Sequence, residues 1–152
     1  MDHIVVGLGN PGERFAGTRH NAGFMVLDAL QPDGWSYDRK LDACIAVHGD
    51  TLLVKPCTFM NMTGVCTADV LRMFGKGPES LVLVHDDTAF DVGTARLSLD
   101  GRAHGHNGLA SVILHVGTES FTRLRIGIGR PPREVGILSH VLGRFYIGPI
   151  AA

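Results

Sequence analysis

The 152-residue chain has no apolar run long enough to span a bilayer; its cleanest apolar stretches are four or five residues, where a spanning helix needs about 20. It also lacks a basic leader. The N-terminus, MDHIVVGLGN, runs straight into a strand-like segment, so the expected compartment is the cytosol. Cysteine is scarce: Cys44, Cys57 and Cys66 are odd in number and form no C-x-x-C pair, which points to reduced, mostly structural thiols. No repeat, low-complexity tract or linker interrupts the chain, and an apolar share of 45% against 19% charged describes one globular domain over residues 1–152. A charge excess is missing as well. The formal net charge of −1 excludes a uniformly basic nucleic-acid binder. Yet residues 1–99 carry 8 Lys and Arg against 12 Asp and Glu, and residues 100–152 carry 6 against 3. A polyanion would therefore meet a local patch drawn partly from the C-terminal third, although ordinary surface asymmetry gives the same counts.

Apolar patterning predicts an α/β domain with a mixed sheet flanked by helices. Ile4–Leu8 reads as a short buried strand stopped by glycine. Asn21 reads as the N-cap of an apolar helix from Ala22 to about Leu30, ended by Gln31-Pro32-Asp33-Gly34. Ala43–Val47 and Thr51–Val54 flank His48-Gly49-Asp50 as a hairpin, which argues against an all-parallel sheet. A helix is expected over Val65–Phe74, stopping at Gly75, and a strand over Leu81–Val84 that delivers the chain to His85-Asp86-Asp87. Thr94–Leu99 alternates as a strand does. The glycine- and histidine-rich loop Gly101–Gly108 precedes a helix from about Leu109 to Val116. Leu124–Ile128 is the last strand, closed by Gly129-Arg130-Pro131-Pro132.

Three motifs invite chemistry. The first is GLGNPG, Gly7–Gly12, which spells G-x-G-x-x-G directly after a strand. A dinucleotide loop should open a helix at once and hold pyrophosphate on its N-terminus. Here Glu13–His20 intervene, and Pro11 deletes one of the N–H groups such a loop exists to present. The acidic residue expected about twenty positions on would be Asp28, within the helix, or Asp33, within its terminating turn. The dinucleotide reading fails on context. A plain strand-end turn leaves Asn10 and His20, flanking the same loop, unexplained.

The second motif is His104-x-His106 together with His85-Asp86-Asp87, nitrogen and oxygen ligands of the kind zinc accepts. No third ligand stands at a diagnostic spacing, so no metal or other cofactor is expected. A polar loop capping the next helix, with Asn107 beside the cap position, explains both histidines as well. The third is an acid/base pair. His20 closes the first loop and Asp86 follows a buried strand, the usual place for sites in α/β sheets. A carboxylate behind a histidine fixes its tautomer and stabilises its protonated form. A surface histidine and a cap aspartate would look the same in sequence. Gly-x-Ser-x-Gly is absent, so hydrolysis here would use an activated water rather than a covalent intermediate.

Taken in order, "VGLGNPGERFAGTRHNAGF", "VKPCTFMNMTG", "VLVHDDTAFDVGTARL" and "GHNGLASVI" running on to "FTRLRIGIGRP" make the chain resemble bacterial-type peptidyl-tRNA hydrolases over about Ile4–Gly143. The resemblance implies cleavage of the ester between a peptide and the 3′-terminal adenosine of tRNA, by a cytosolic monomer that meets the CCA end and acceptor stem. It implies that His20 is the catalytic histidine, that Asp86 supports its basic form, and that Asn10 helps distinguish N-blocked from free aminoacyl-tRNA. It likewise assigns Asn61 and Asn107 to positioning substrate and water, with Met60 beside Asn61. Phe15 falls where the family usually has tyrosine, and Phe59 where a phenylalanine lines the same cleft. Arg125 and Arg96 fall where basic residues meet tRNA phosphates, a role that suits the arginine fork. The bland alternative for the alternating Arg123 and Arg125 is that one faces solvent without a partner. Arg102 and Arg130 could extend the patch, and Ser98 stands where a second phosphate-binding lysine is common. The family continues past "VLGRF" with helices that border the cleft, whereas here "YIGPIAA" closes the sequence, so those helices are expected to be absent. The competing reading is a homologue that binds RNA or assists splicing without catalysis; a binding module, however, needs no acid/base pair.

Overall fold

The computed structural model describes residues 1–30, 32 and 34–145. Seven strands form one mixed sheet: β1 (His3–Gly7), β2 (Ser36–Asp38), β3 (Ala43–His48), β4 (Thr51–Pro56), β5 (Leu81–Asp87), β6 (Ala95–Ser98) and β7 (Thr122–Gly127). Their order is β2-β3-β4-β1-β5-β7-β6. The inner four, β4-β1-β5-β7, run parallel, and antiparallel partners close both sides. Helices α1 (Ala22–Ala29), α2 (Thr63–Met73), α3 (Asn107–Val116) and α4 (Ile137–Val141) complete the domain. None of the described helices is long and apolar enough to cross a membrane.

Successive strand residues point to opposite faces, and the core divides accordingly. Ile4 and Val6, Leu52 and Val54, Leu81 and Leu83 bury against Val70 of α2 and Val112 of α3. Val5, Leu53 and Val84 face the other way, toward Leu27 of α1 and Trp35. A parallel sheet covered on both faces needs this continuous apolar character, which is why β1 reads as an unbroken run. Gly64 lets α2 sit on α3: a Cβ there would collide with the Ser111 carbonyl, and the Gly64 N–H instead donates to Ser111 Oγ at 2.9 Å.

The element starts depart from expectation in a consistent way. α2 begins at Thr63, α3 at Asn107 and β7 at Thr122, each two residues before its first strongly apolar position. Polar side chains supply those first residues: Thr63 Oγ1 donates to the Met60 carbonyl at 3.0 Å. β2 and α4 are too short, at 3 and 5 residues, to show a period. One expectation is corrected. Asn21 stands at the N-cap position of α1 as expected, but its side chain makes no cap bond, because its amide is committed elsewhere. The turn residues Gln31 and Asp33 and the closing segment 146–152 lie outside the described residues.

Candidate active site

The site gathers where the parallel strands β1 and β5 end. After β1 the chain stays in register for one more bond, Leu8 N–H to the Val84 carbonyl at 2.9 Å. It then bends through the glycine-rich loop, where Gly7 and Gly9 are required by packing and Gly12 by its backbone conformation, with no need of a phosphate. A Cβ on Gly7 would meet the Gly23 carbonyl of α1 at 2.7 Å, and one on Gly9 would meet the Phe24 ring at 2.7 Å. Gly12 has φ +96°, a conformation that side-chain-bearing residues rarely adopt.

Asn10 sits buried in this loop at 7% exposure. Its backbone is clasped by the Asn21 amide: Asn10 N–H donates to Asn21 Oδ1 at 2.9 Å, and Asn21 Nδ2 donates to the Asn10 carbonyl at 2.8 Å. That clasp is what Asn21 does instead of capping α1. Asn10 Oδ1 in turn accepts the Met60 N–H at 2.7 Å, which fixes the amide's orientation.

His20 lies on the short 3-10 turn Arg19–Asn21, and its Nδ1 stands 2.7 Å from Asp86 Oδ2. Asp86, at the end of β5, is 3% exposed. Its second oxygen, Oδ1, is 2.6 Å from His106 Nε2. One carboxylate therefore bridges two histidines. His106 Nδ1 accepts the Leu109 N–H at 3.0 Å as the N-cap of α3, so its proton sits on Nε2 and points at Asp86. Burial alone would raise the Asp86 carboxyl, but the hydrogen bonds donated by His106 and His20, joined by coulombic attraction whenever either ring is protonated, overcome it and hold the group well below the ordinary carboxylate range. With Nδ1–H donating to an ionised Asp86, His20 keeps its lone pair on Nε2, the requirement for a general base.

His85 packs its ring edge-on against His106, with centroids 5.2 Å apart. Its Nδ1–H donates to the Asp86 carbonyl at 2.8 Å. Burial is the main reason that its ring is pushed down to about 4, which keeps it neutral beside the site.

The remaining expected residues separate into three groups. Phe15 and Phe59 meet edge to face at 6.3 Å, and Phe59 is 61% exposed, an aromatic surface open to a ligand. Asn61 and Asn107 are exposed as well. Met60, by contrast, packs in the core and enters the site through its backbone N–H. Arg125 and Arg96 are cross-strand neighbours on β7 and β6, and their guanidinium carbons lie 4.6 and 5.2 Å from the centre of the Phe90 ring. Arg125 also donates from Nε to Asp87 Oδ2 at 2.8 Å and from Nη1 to Ser98 Oγ at 3.3 Å. Neither member of the Arg123–Arg125 pair is a free solvent cation, which corrects the bland alternative. Arg123 is 2% exposed and holds the Gly101 and Glu119 carbonyls. Arg102 is exposed and lines, with Arg125, His20, Asp86 and Asn107, a cavity of about 630 Å³.

The histidine pair suggested by sequence does not form the cluster with metal-ligand spacing. Among the described residues that cluster is His20, Asp86 and His106, with ligand atoms within 4.8 Å of one another. His104 is exposed at φ +48°. The capping expectation for this loop is met by His106. Its bond to Asp86 was not legible, because it joins positions 20 residues apart through the fold.

The model of the family described as peptidyl-tRNA hydrolase matches residues 4–147. A peptidyl-tRNA hydrolase of Akkermansia muciniphila is 46% identical over 145 residues, covering 93% of this chain and 76% of the relative. One from Moorella thermoacetica is 46% identical over 151 residues, covering 95% and 80%. The crystal structure of peptidyl-tRNA hydrolase from Acinetobacter baumannii superposes with a TM-score of 0.87 at 34% identity, covering 93% of this chain and 76% of that one. Sequence motifs, strand order and these likenesses agree, and the chain belongs to the peptidyl-tRNA hydrolase family.

Proposed function

We propose that this chain hydrolyses the ester joining a peptide to the 3′-terminal adenosine of tRNA, using a water that His20 deprotonates. The observation that carries the reading is the Asp86 carboxylate bridging Nδ1 of His20 and Nε2 of His106, which leaves His20 Nε2 as a base on the cavity of about 630 Å³ that His20 lines. As the water attacks the ester carbonyl, His20 Nε2 takes its proton and Asp86 stabilises the imidazolium. The same proton then passes to the departing 3′ oxygen, releasing tRNA and the peptide's carboxylic acid, which loses its remaining proton to solvent. An aminoacyl ester is reactive enough that general-base help of about 10²–10⁴-fold is an adequate supply.

Amide groups suit the remaining tasks. Asn10 has its oxygen tied to Met60, so its NH₂ is the end left to donate to a peptide carbonyl or the developing oxyanion. Asn61 and Asn107 bring further amides to the rim, and the Phe15–Phe59 pair offers faces on which a terminal base stacks. Arg125 meets phosphate through the guanidinium nitrogens that Asp87 and Ser98 leave free, and Arg96 through its own fork beside the Phe90 ring. On this reading the chain acts as a monomer. The substrate arises wherever translation runs, which on this reading is the cytosol. A non-catalytic RNA-binding role is not favoured, since it gives no reason for a buried carboxylate between two histidines.

The test is release of the blocked amino acid from N-acetyl-aminoacyl-tRNA, compared with the unblocked ester and with His20→Ala. Selective release, falling by about 10²–10⁴-fold in the variant, is expected. No release by folded protein would sink the proposal and favour the binding role.

A further inference from the structure

Two of the three cysteines meet in a place that the catalytic reading does not use. The hairpin register pairs Cys44 of β3 with Lys55 of β4. Cys57 lies two positions beyond Lys55, hence on the same face, just past the last ladder residue Pro56. The two Sγ atoms are 3.7 Å apart, and both residues are part-exposed. They line a cavity of about 260 Å³ together with Asn10, Asn21, Phe24 and Lys55. Cys66 is the internal contrast: it is 1% exposed in the core, and burial pushes its thiol up to about 12.

We infer that Cys44 and Cys57 are a reversible dithiol–disulfide couple, and that closing it displaces the loop which holds Asn10. The co-reactant is a low-molecular-weight disulfide, RSSR. Cys44 Sγ, as thiolate, attacks one sulfur of RSSR, forming a mixed disulfide and expelling RS⁻, which takes up the proton Cys44 lost. Cys57 Sγ then gives up its proton and attacks Cys44 Sγ, forming the internal S–S bond and expelling the second RS⁻, which becomes RSH. The chain loses two hydrogens and two electrons; one RSSR becomes two RSH. Burial, with the adjoining Cys44, pushes the Cys57 thiol up to about 11, which lowers its thiolate fraction and slows this second step, while the 3.7 Å approach of the two sulfurs makes the attack intramolecular and offsets that loss.

The geometric argument is one of distance. A disulfide needs its sulfurs about 2.05 Å apart, so the present 3.7 Å gap must shrink by roughly 1.7 Å. Cys44 sits inside the β3 ladder, paired on both sides by β2 and β4. Cys57 has left the ladder and is held by one backbone bond, to the Asp42 carbonyl at 2.8 Å. The movement therefore falls mainly on Cys57 and the segment after it. Three residues on, Met60 N–H makes the 2.7 Å bond that orients the Asn10 amide, and Phe59 presents its exposed ring beside Phe15. A shift at Cys57 is felt at both.

The experiment equilibrates the full chain with defined ratios of glutathione and glutathione disulfide, quenches with acid, alkylates free thiols and maps the peptides by mass. The expected result is a linked Cys44–Cys57 pair at a single two-electron midpoint, with Cys66 alkylated throughout, reversed by dithiothreitol. The Met60 backbone amide resonance should shift on linking. Hydrolysis of N-acetyl-aminoacyl-tRNA should fall by roughly tenfold, within the range a 1 Å misplacement produces, and Cys44→Ser should keep its rate under the same oxidation. Recovery of Cys44 and Cys57 each singly glutathionylated, or both alkylated, overturns the couple. Full linking with an unmoved Met60 resonance and unchanged hydrolysis overturns the coupling. Peptide map and resonance do not depend on catalysis, so an inactive chain would count against the hydrolase reading and leave this inference decided on its own evidence.

Discussion

His106 Nε2 stands 2.6 Å from Asp86 Oδ1, opposite the oxygen that receives His20, and its other ring nitrogen caps α3. The start of α3 and the hydrogen-bonded His20–Asp86 pair are thus locked to one imidazole. The cap bond leaves His106 only one place for its proton, and that proton holds Asp86 ionised and aligned. A single substitution acts on both.

Replacing His106 with Ala should cost about 1–3 kcal/mol of stability, since it strands a buried carboxylate oxygen and uncaps α3. Activity should fall, but by less than in His20→Ala, because His20 and Asp86 remain paired. Thermal melts and steady-state hydrolysis of a blocked aminoacyl-tRNA check both halves. A variant with wild-type melting would show that Asp86 does not rely on its second histidine.

Acid should destabilise the fold in two stages. His85 titrates near 6.5 when unfolded and is pushed down to about 4 in the fold. Its contribution is complete above about 6.5 and is lost as pH falls toward 4, on the order of 3 kcal/mol. Asp86 is also depressed, so its contribution persists above the usual carboxylate value and erodes below about 4. Urea unfolding from pH 7 to 3 should show both stages, with His85→Gln lacking the upper one. An unchanged upper stage in that variant would assign it to another group.

Asn21→Asp separates two roles for one position. Aspartate is as good a helix cap as asparagine, so a capping residue would tolerate the change. The clasp would not: Nδ2 donates to the Asn10 carbonyl at 2.8 Å, and a carboxylate there meets oxygen with oxygen. We expect KM for the blocked substrate to rise several-fold, with the helical circular dichroism signal retained. Wild-type kinetics would return Asn21 to the capping role.

Much of this was legible in the sequence, for identifiable reasons. The inner strands announce themselves because both faces are buried, and two of the motif blocks mark the loop and turn after β1 that carry Asn10 and His20 and the end of β5 that carries Asp86. What escaped was whatever depends on partners distant in sequence. Asn21 at the start of an apolar helix is indistinguishable from a cap until Asn10 is folded against it, 11 residues away. Arg123 alternates with Arg125 like a surface residue, yet it is buried because carbonyls at Gly101 and Glu119 receive it. The cysteine count points to reduced, mostly structural thiols, and all three are free; that Cys44 meets Cys57 follows only from the hairpin register.

Arg125 is where the tRNA body should be felt. Its guanidinium is steadied by Asp87 and Ser98 and lies over Phe90 next to Arg96, so the fork is preorganised while nitrogens remain for phosphate. Arg125→Ala should weaken tRNA binding and reduce the slope of log affinity against log salt by about one for each phosphate it no longer neutralises. Hydrolysis of a minimal ester carrying only the terminal nucleoside should be nearly unchanged, because His20, Asp86 and Asn10 do not bond to Arg125. Arg96→Ala should act in the same direction and more weakly, since among the described residues Arg96 is steadied by the Phe90 ring and by no side-chain hydrogen bond. Binding measured at several salt concentrations, alongside kcat/KM for both substrates, separates the effects. Equal losses on the full and minimal substrates would make Arg125 a support for β5 through Asp87 rather than a ligand for tRNA.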